Sequence, residues 1–230
     1  MRLSIIIPTL NEERALPDTL LNVAACAPGC EVIVADGGSA DRTKEIALGG
    51  ILPTILWLDA PRGRGNQMNA AAARAAGDVL LFLHADSQLP PDTPRLITDA
   101  LSDPRIVGGN FRIQFVPRTP LADVYTWCYN LRTHLRIFYG DSALFVRREV
   151  FERLGGYRAA LLMEDIEFLR RLRRTGWLAY IRSGTVTTST RRFPGTLQGV
   201  GMLFVWMLLH ALLACGVRQE ILERLYPEIR

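Results

Sequence analysis

The chain has 230 residues, 49% of them hydrophobic and 22% charged, with a formal net charge of +4. That length buries a substantial core without covalent staples, and the composition is that of an ordinary, slightly oily globular protein, which excludes a disulfide-framework or disordered class. The mild positive balance fits a nucleotide phosphate, an anionic membrane surface or nucleic acid equally well, so charge alone selects no partner.

In chain order, residues 3–7 form a short apolar run stopped by Pro8, read as a fully buried strand. Helical periodicity follows over 11–23. "EVIVA" at 31–35 is a second buried strand that ends on Asp36-Gly37-Gly38-Ser39, then a short helix is expected over 43–48 and a third strand over 54–58. Residues 66–76 are alanine-rich and helix-forming, with Gly77 as the expected C-cap, and 79–83 is the next strand.

Four strand–helix alternations point to an α/β domain with a mainly parallel sheet, whose ligands bind beyond the carboxyl ends of the strands. The second half reads differently. Residues 110–116 alternate, with Phe111, Ile113 and Phe115 on one face; a helix is expected over 121–138, a strand over 142–146 and a helix over 164–174.

The polar clusters sit at the strand ends, and each has a plain reading beside a chemical one. Asp36 accepts hydrogen bonds from a base or ribose, or sits in a tight turn with Asp41 capping the next helix. Around Glu164 and Asp165, acids open a helix that closes on Arg170, Arg171, Arg173 and Arg174, a sign pattern that dipole complementarity explains by itself.

Neither G-x-G-x-x-G nor G-x-x-x-x-G-K-[ST] is present. Cys26, Cys30, Cys128 and Cys215 lack zinc-site spacing and read as buried thiols of a reducing cytosol. The start "MRLSIIIPTL" has no signal-peptide pattern, so the catalytic part is expected in the cytoplasm.

"SIIIPTLNEE", "VIVADGGSADRT", "RGRGNQMNAA", "LFLHADS" and "EDIEF", in that order and spacing, resemble the family 2 glycosyltransferases of the GT-A fold. The likeness covers most of residues 3–192. It is closest to the bacterial radical-SAM/selenodomain-associated, arsenosugar-biosynthesis type. The resemblance implies a GT-A mixed, mainly parallel sheet over 1–195 and an inverting transfer from a nucleotide sugar, with uracil as the typical base, to an unknown hydroxyl.

Residue by residue, it implies that Pro8, Thr9 and Glu12 hold the nucleoside and Asp36 reads the base. Gly38 joins them, and Arg62, Gly65 and Asn69 touch the nucleotide and pack its helix. In keeping with this, Arg62 and Arg64 bring positive charge to a diphosphate, with Gly63 and Gly65 keeping their loop open, or belong to a solvated basic loop. Asp165 becomes the general base and Glu164 shapes the site. Asp141 contacts acceptor or sugar, or is a turn residue. Arg191 or Arg192 closes over the diphosphate.

Most relatives carry D-x-D where this chain has His84-Ala85-Asp86. Asp86, with Gln88 as helper, is the expected ligand set for Mg²⁺ or Mn²⁺, a hard cation that keeps waters and shares phosphate oxygens. His84, too soft for that role, is read as a donor to ribose or phosphate, or as a polar cap on its strand. A nucleotidyltransferase lacks support because "PTLNEE" is not its glycine-rich opening. A non-catalytic chain with a decayed metal site is opposed by the intact Asp36, Asp86, Glu164 and Asp165.

Residues 199–217 carry no Asp, Glu, Lys or Arg. As a helix of about 28 Å they approach the roughly 30 Å hydrocarbon core. Three readings stand for this C-terminal extension, 196–230: contact with the inner face of the cell membrane, a homodimer interface, or burial in the monomer. Membrane contact would suit a lipid-like acceptor. No nucleic-acid partner is expected.

Overall fold

The computed structural model describes residues 1–134, 140–158, 164–191, 201 and 205. In chain order these form β1 (Leu3–Thr9), α1 (Leu16–Cys26), β2 (Glu31–Asp36), α2 (Thr43–Leu48), β3 (Leu56–Asp59), α3 (Arg64–Ala72), β4 (Val79–Phe82) and β5 (Ser87–Gln88). There follow α4 (Thr93–Ala100), β6 (Ile106–Val116), α5 (Pro120–His134), a 3₁₀ turn (Gly140–Ser142), β7 (Leu144–Arg147), α6 (Arg148–Arg153), α7 (Glu164–Leu172) and β8 (Trp177–Ser189).

One eight-stranded sheet runs in the order β3-β2-β1-β4-β7-β6-β8-β5. β1 pairs parallel with both β2 and β4, and β2 with β3; β7 is antiparallel to β4 and to β6, while β8 returns parallel to β6. The expected mixed, mainly parallel α/β sheet is thus present.

Alternation along β1 builds the core on both faces. Ile5 and Ile7 pack with Leu16, Leu20 and Val23 of α1 and Ile97 of α4, whereas Ile6 packs with Met68 and Ala71 of α3 and Phe168 and Leu172 of α7. A third cluster joins Ile113 and Phe115 of β6 to Ala122 and Tyr125 of α5. Because the chain leaves β1 toward β2 and β3 and then returns to β4 on the other side, a crevice opens between the carboxyl ends of β1 and β4.

Several boundaries differ from the sequence expectation for physical reasons. β1 does not stop at Pro8 but runs to Thr9, since the ladder to β4 has already ended at Ile6–Phe82 and proline's missing N–H breaks nothing there. α1 starts at Leu16 because the N–H groups of Asn11, Glu12 and Glu13 are held by Ser39, Thr43 and Asp41. Gly77 is not a helix cap: α3 ends at Ala72, and a Cβ on Gly77 would press on Ser4. α4, α6, β5 and β8 have no counterpart among the elements expected from sequence.

The expected apolar helix over 199–217 lies outside the described residues apart from 201 and 205. No helix among the described residues is long and apolar enough to cross a membrane. Cys26, Cys30 and Cys128 are free and partly buried, and burial pushes the Cys26 and Cys30 thiols up.

Gly109 lies in β6 between β7 and β8, where a Cβ would collide with the Ala179 carbonyl oxygen and the Phe145 ring. Gly109→Ala should lower unfolding stability by about 1–3 kcal/mol in urea denaturation. An unchanged midpoint would show that the two neighbouring strands can part.

Candidate active site

The carboxyl ends of β1 and β2 are tied by their own side chains. Thr9 and Asp36 are register partners, and the Thr9 hydroxyl donates to Asp36 Oδ1 at 3.0 Å. The buried Asp36 carboxylate also accepts from the N–H groups of Gly38 (2.9 Å) and Ser39 (2.7 Å) and from the Ser39 hydroxyl (2.5 Å). Gly38, at φ 92°, supplies the left-handed turn this requires. Asp36 therefore holds the 37–39 turn, and its oxygens face that loop.

From α3, Gln67 donates to the carbonyls of Thr9 (2.6 Å) and Ala35 (2.9 Å) across the same strand ends. Next to them, Thr43 N–H and its hydroxyl both donate to Asp41, whose carboxyl is lowered by these bonds despite the opposing effect of burial. Pro8 lies half-buried at the crevice floor.

Arg62 is exposed, just before Gly63, which opens α3 at φ 115°. A Cβ on Gly65 would sit 3.4 Å from Tyr157 and 3.5 Å from Glu164, so this glycine lets α3 approach the second half of the chain. Asn69 lies about one turn farther along α3. Its amide donates to the Tyr157 carbonyl (2.7 Å) and accepts from the Tyr157 N–H (2.9 Å), which makes it a strut.

β4 delivers His84-Ala85-Asp86. Ala85 is buried, and its carbonyl accepts from the Thr19 hydroxyl at 2.7 Å. Arg191, just after β8, bridges two acids: Nε donates to Asp86 Oδ2 at 2.8 Å and a terminal nitrogen to Glu12 Oε1 at 2.6 Å. The bond to Glu12, against the opposing effect of burial, raises the Arg191 pKa. The other Glu12 oxygen is buried without a hydrogen-bond partner. Gln88 is exposed on β5, where its amide oxygen takes the Thr187 hydroxyl at 3.4 Å.

The second centre is Arg64, the first residue of α3. Its Nε bonds Glu164, and its terminal nitrogens lie 3.8 Å from Asp165 and 3.9 Å from Asp141. His84 Nε2 is 3.3 Å from the same guanidinium and His84 Nδ1 is 3.6 Å from Asp141. Arginine can only donate, so Nε2 accepts and the Nδ1 of a neutral ring carries the proton toward Asp141. His84 thus turns to the acidic cluster, with the ring nitrogen that would ligate a metal already engaged.

Burial pulls the Arg64 pKa down, but Glu164, Asp165 and Asp141 outweigh it and leave it raised. Tyr129 of α5 donates to Asp141 at 3.2 Å. Burial, then Asp165 and Glu164, push the Tyr157 hydroxyl well up.

Of the residues expected at the site, Glu12, Asp86 and Arg191 form one contiguous group, and His84, Asp141, Glu164 and Asp165 a second around Arg64. Asp86 and His84 are two residues apart, so the groups adjoin. Arg64 was expected at a diphosphate and instead faces carboxylates; Gln67 and Tyr129 were missed. Gln67, a polar residue within an alanine-rich helix, was the available signal. Arg192 lies outside the described residues.

The family model Glycosyl transferase family 2 matches residues 4–164. The undecaprenyl-phosphate 4-deoxy-4-formamido-L-arabinose transferase of Aeromonas hydrophila is 36% identical over 115 residues, covering 46% of this chain and 35% of its own length. The PGL/p-HBAD biosynthesis glycosyltransferase of Mycobacterium bovis is 42% identical over 93 residues, covering 37% and 36%. The matched part is about a third of the length of these curated relatives.

Among solved structures, S. aureus TarS 1–349 in complex with UDP-GlcNAc superposes with a TM-score of 0.68 at 18% identity, over 86% of this chain and 60% of that one. The mannosyltransferase PcManGT of Pyrobaculum calidifontis, in complex with GDP-Man and Mn²⁺, gives 0.63 at 22%, over 81% and 56%. At such identities the likeness is one of fold.

Arg64→Gln leaves Glu164 and Asp165, both nearly buried, without their shared counter-charge. Stability should fall by about 3 kcal/mol, and Glu164→Gln in the same chain should recover part of it in a denaturation double-mutant cycle. Additive losses would mean the pair does not interact.

Proposed function

The chain belongs to glycosyl transferase family 2, and from that premise we propose that it is an inverting, metal-dependent transferase moving a sugar from a nucleotide donor, UDP-linked, to a hydroxyl acceptor. The observation that carries this reading is the charge of the crevice. Glu12, Asp86, Asp141, Glu164 and Asp165 stand against only Arg64 and Arg191 among the described contacts. A bare diphosphate would meet excess negative charge there. A divalent cation makes its binding favourable.

The donor set fits such a cation. Asp86 already receives a positive group, the Arg191 guanidinium. No three His, Cys, Asp or Glu side chains gather to hold a metal among the described residues, so Asp86 would hold it with waters and donor phosphate oxygens. Gln88 is the proposed helper from the adjoining edge strand. A bound Mg²⁺ or Mn²⁺ would supply neutralisation of the departing diphosphate.

This chain's residues do the rest. Pro8, Thr9, Glu12 and the turn shaped by Asp36 and Gly38 border the nucleoside side, with Arg62 and the Gly65–Asn69 stretch beside them. Arg191, released from Asp86, reaches the diphosphate. Asp165 accepts the proton of the acceptor hydroxyl as the new bond to the anomeric carbon forms and the bond to the diphosphate oxygen breaks; Glu164 fixes Arg64 beside it.

Residues 1–195 carry this chemistry in the proposal, at the inner face of the cell membrane, with 196–230 as a hydrophobic extension that meets the membrane or a second copy. The apolar sequence of 199–217 supports that placement. The motif order supports the radical-SAM/selenodomain-associated subgroup. A second reading, a lipid phosphate as acceptor, draws on the names of the undecaprenyl-phosphate transferases.

Calorimetry with UDP should show binding that needs Mn²⁺ or Mg²⁺ and disappears in Asp86→Ala; binding without metal would remove Asp86 from this role. Asp165→Asn should bind UDP as the wild type does and lose transfer by about 10²–10⁴-fold. A normal rate would remove it as the base.

A further inference from the structure

We infer that the acceptor brings to this site a hydroxyl on a group without negative charge, and not a phosphate monoester. The inference rests on the transferase reading and specifies its acceptor.

The cations of the cluster are already engaged. Arg64 directs Nε at Glu164 and its terminal nitrogens toward His84 (3.3 Å), Asp165 (3.8 Å) and Asp141 (3.9 Å). Three carboxylates surround this one guanidinium, so its charge is already more than balanced before any acceptor arrives. Arg191 bridges Glu12 and Asp86 and, in the transferase reading, turns from there to the donor diphosphate rather than to the acceptor. Farther along α7, Arg171 chelates Glu167 and donates to the carbonyls of Leu154 and Gly156, while Arg158 lies 3.5 Å from Glu167.

Charge and chemistry then agree. Asp141, Glu164 and Asp165 share one guanidinium, so the field at the acceptor side is negative among the described residues, and a phosphate would be repelled by it. A phosphate oxygen is also an ionised nucleophile that needs no base. A hydroxyl keeps its proton at neutral pH, and a carboxylate beside it has a task. Asp141, the most exposed of the three at 29%, already accepts from the Tyr129 hydroxyl. It is placed to accept from further hydroxyls of a neutral polyol.

The test uses the full chain with Mn²⁺, a labelled nucleotide sugar and a total extract of the source cells. Half of the extract is pretreated with alkaline phosphatase, which is then removed. Both halves should accept equal label, and the product should pass an anion exchanger unretained. Loss of incorporation after phosphatase, or label in an acid-labile anionic glycosyl phosphate, would overturn the inference.

Binding decides it without any transfer. Phenyl phosphate at about ten millimolar should give no thermal shift to protein saturated with UDP and Mn²⁺, whereas a saturable shift would show a phosphate seat beside the donor and overturn the inference. Failure of UDP itself to bind would count against the transferase reading alone. Phenyl phosphate added to the Mn²⁺ form would then decide the acceptor in the same way, by the absence or presence of a saturable shift.

Discussion

The guanidinium of Arg64 stands where the two halves of the chain meet. It begins α3, the helix that follows the parallel half, and its bonds go to α7 and the 140–142 turn of the mixed half. Gly65 and Asn69, one and five residues on, make the same helix fit Tyr157 and Glu164. An arginine suits this place because a fork of fixed geometry can address several carboxylates at once, which a lysine ammonium on a flexible stem cannot. The arrangement of the acidic cluster thus depends on the residue that opens α3, and the loop before it cannot shift without disturbing Asp141, Glu164 and Asp165.

Charge follows from that arrangement. One guanidinium among three carboxylates leaves that cluster acidic, and the Glu12–Arg191–Asp86 bridge beside it is acidic too. In the proposal a divalent cation offsets part of that charge and so lets an anionic donor bind, whereas the donor alone meets net negative charge. In the proposed function Arg191 connects the two states, because its guanidinium sits on Asp86, the residue assigned to the cation, and a diphosphate offers it a stronger partner.

Much of this was legible in the chain itself. Buried apolar runs ending in polar loops located β2 and β4 within a residue, because strands covered on both faces are uniformly apolar. Those loop ends, with Asp86 and Glu164-Asp165, are the ones that adjoin in space. β8 escaped notice since its partner β6 lies some seventy residues upstream and its Thr- and Ser-rich sequence shows no apolar alternation. The reach of Arg64 escaped it for a similar reason: Glu164 is 100 residues away, and only the packing of α3 on the 156–158 turn brings them together. Asn69 ties α3 to Tyr157 through both atoms of its amide, a contact set by helix rotation rather than by residue type. His84 keeps company with Asp141 and Arg64, which has no local sequence signature.

Donor and cation are expected to bind as a unit in this acidic crevice. Thermal unfolding of the full chain with a panel of nucleotide sugars, each with and without Mn²⁺, tests that most directly. A matched nucleotide sugar at a hundred times its dissociation constant should stabilise the fold by about 2.7 kcal/mol when Mn²⁺ is present, and leave the melting temperature unmoved without it. Equal stabilisation in a chelating buffer, or none from any nucleotide sugar with metal, would contradict the account.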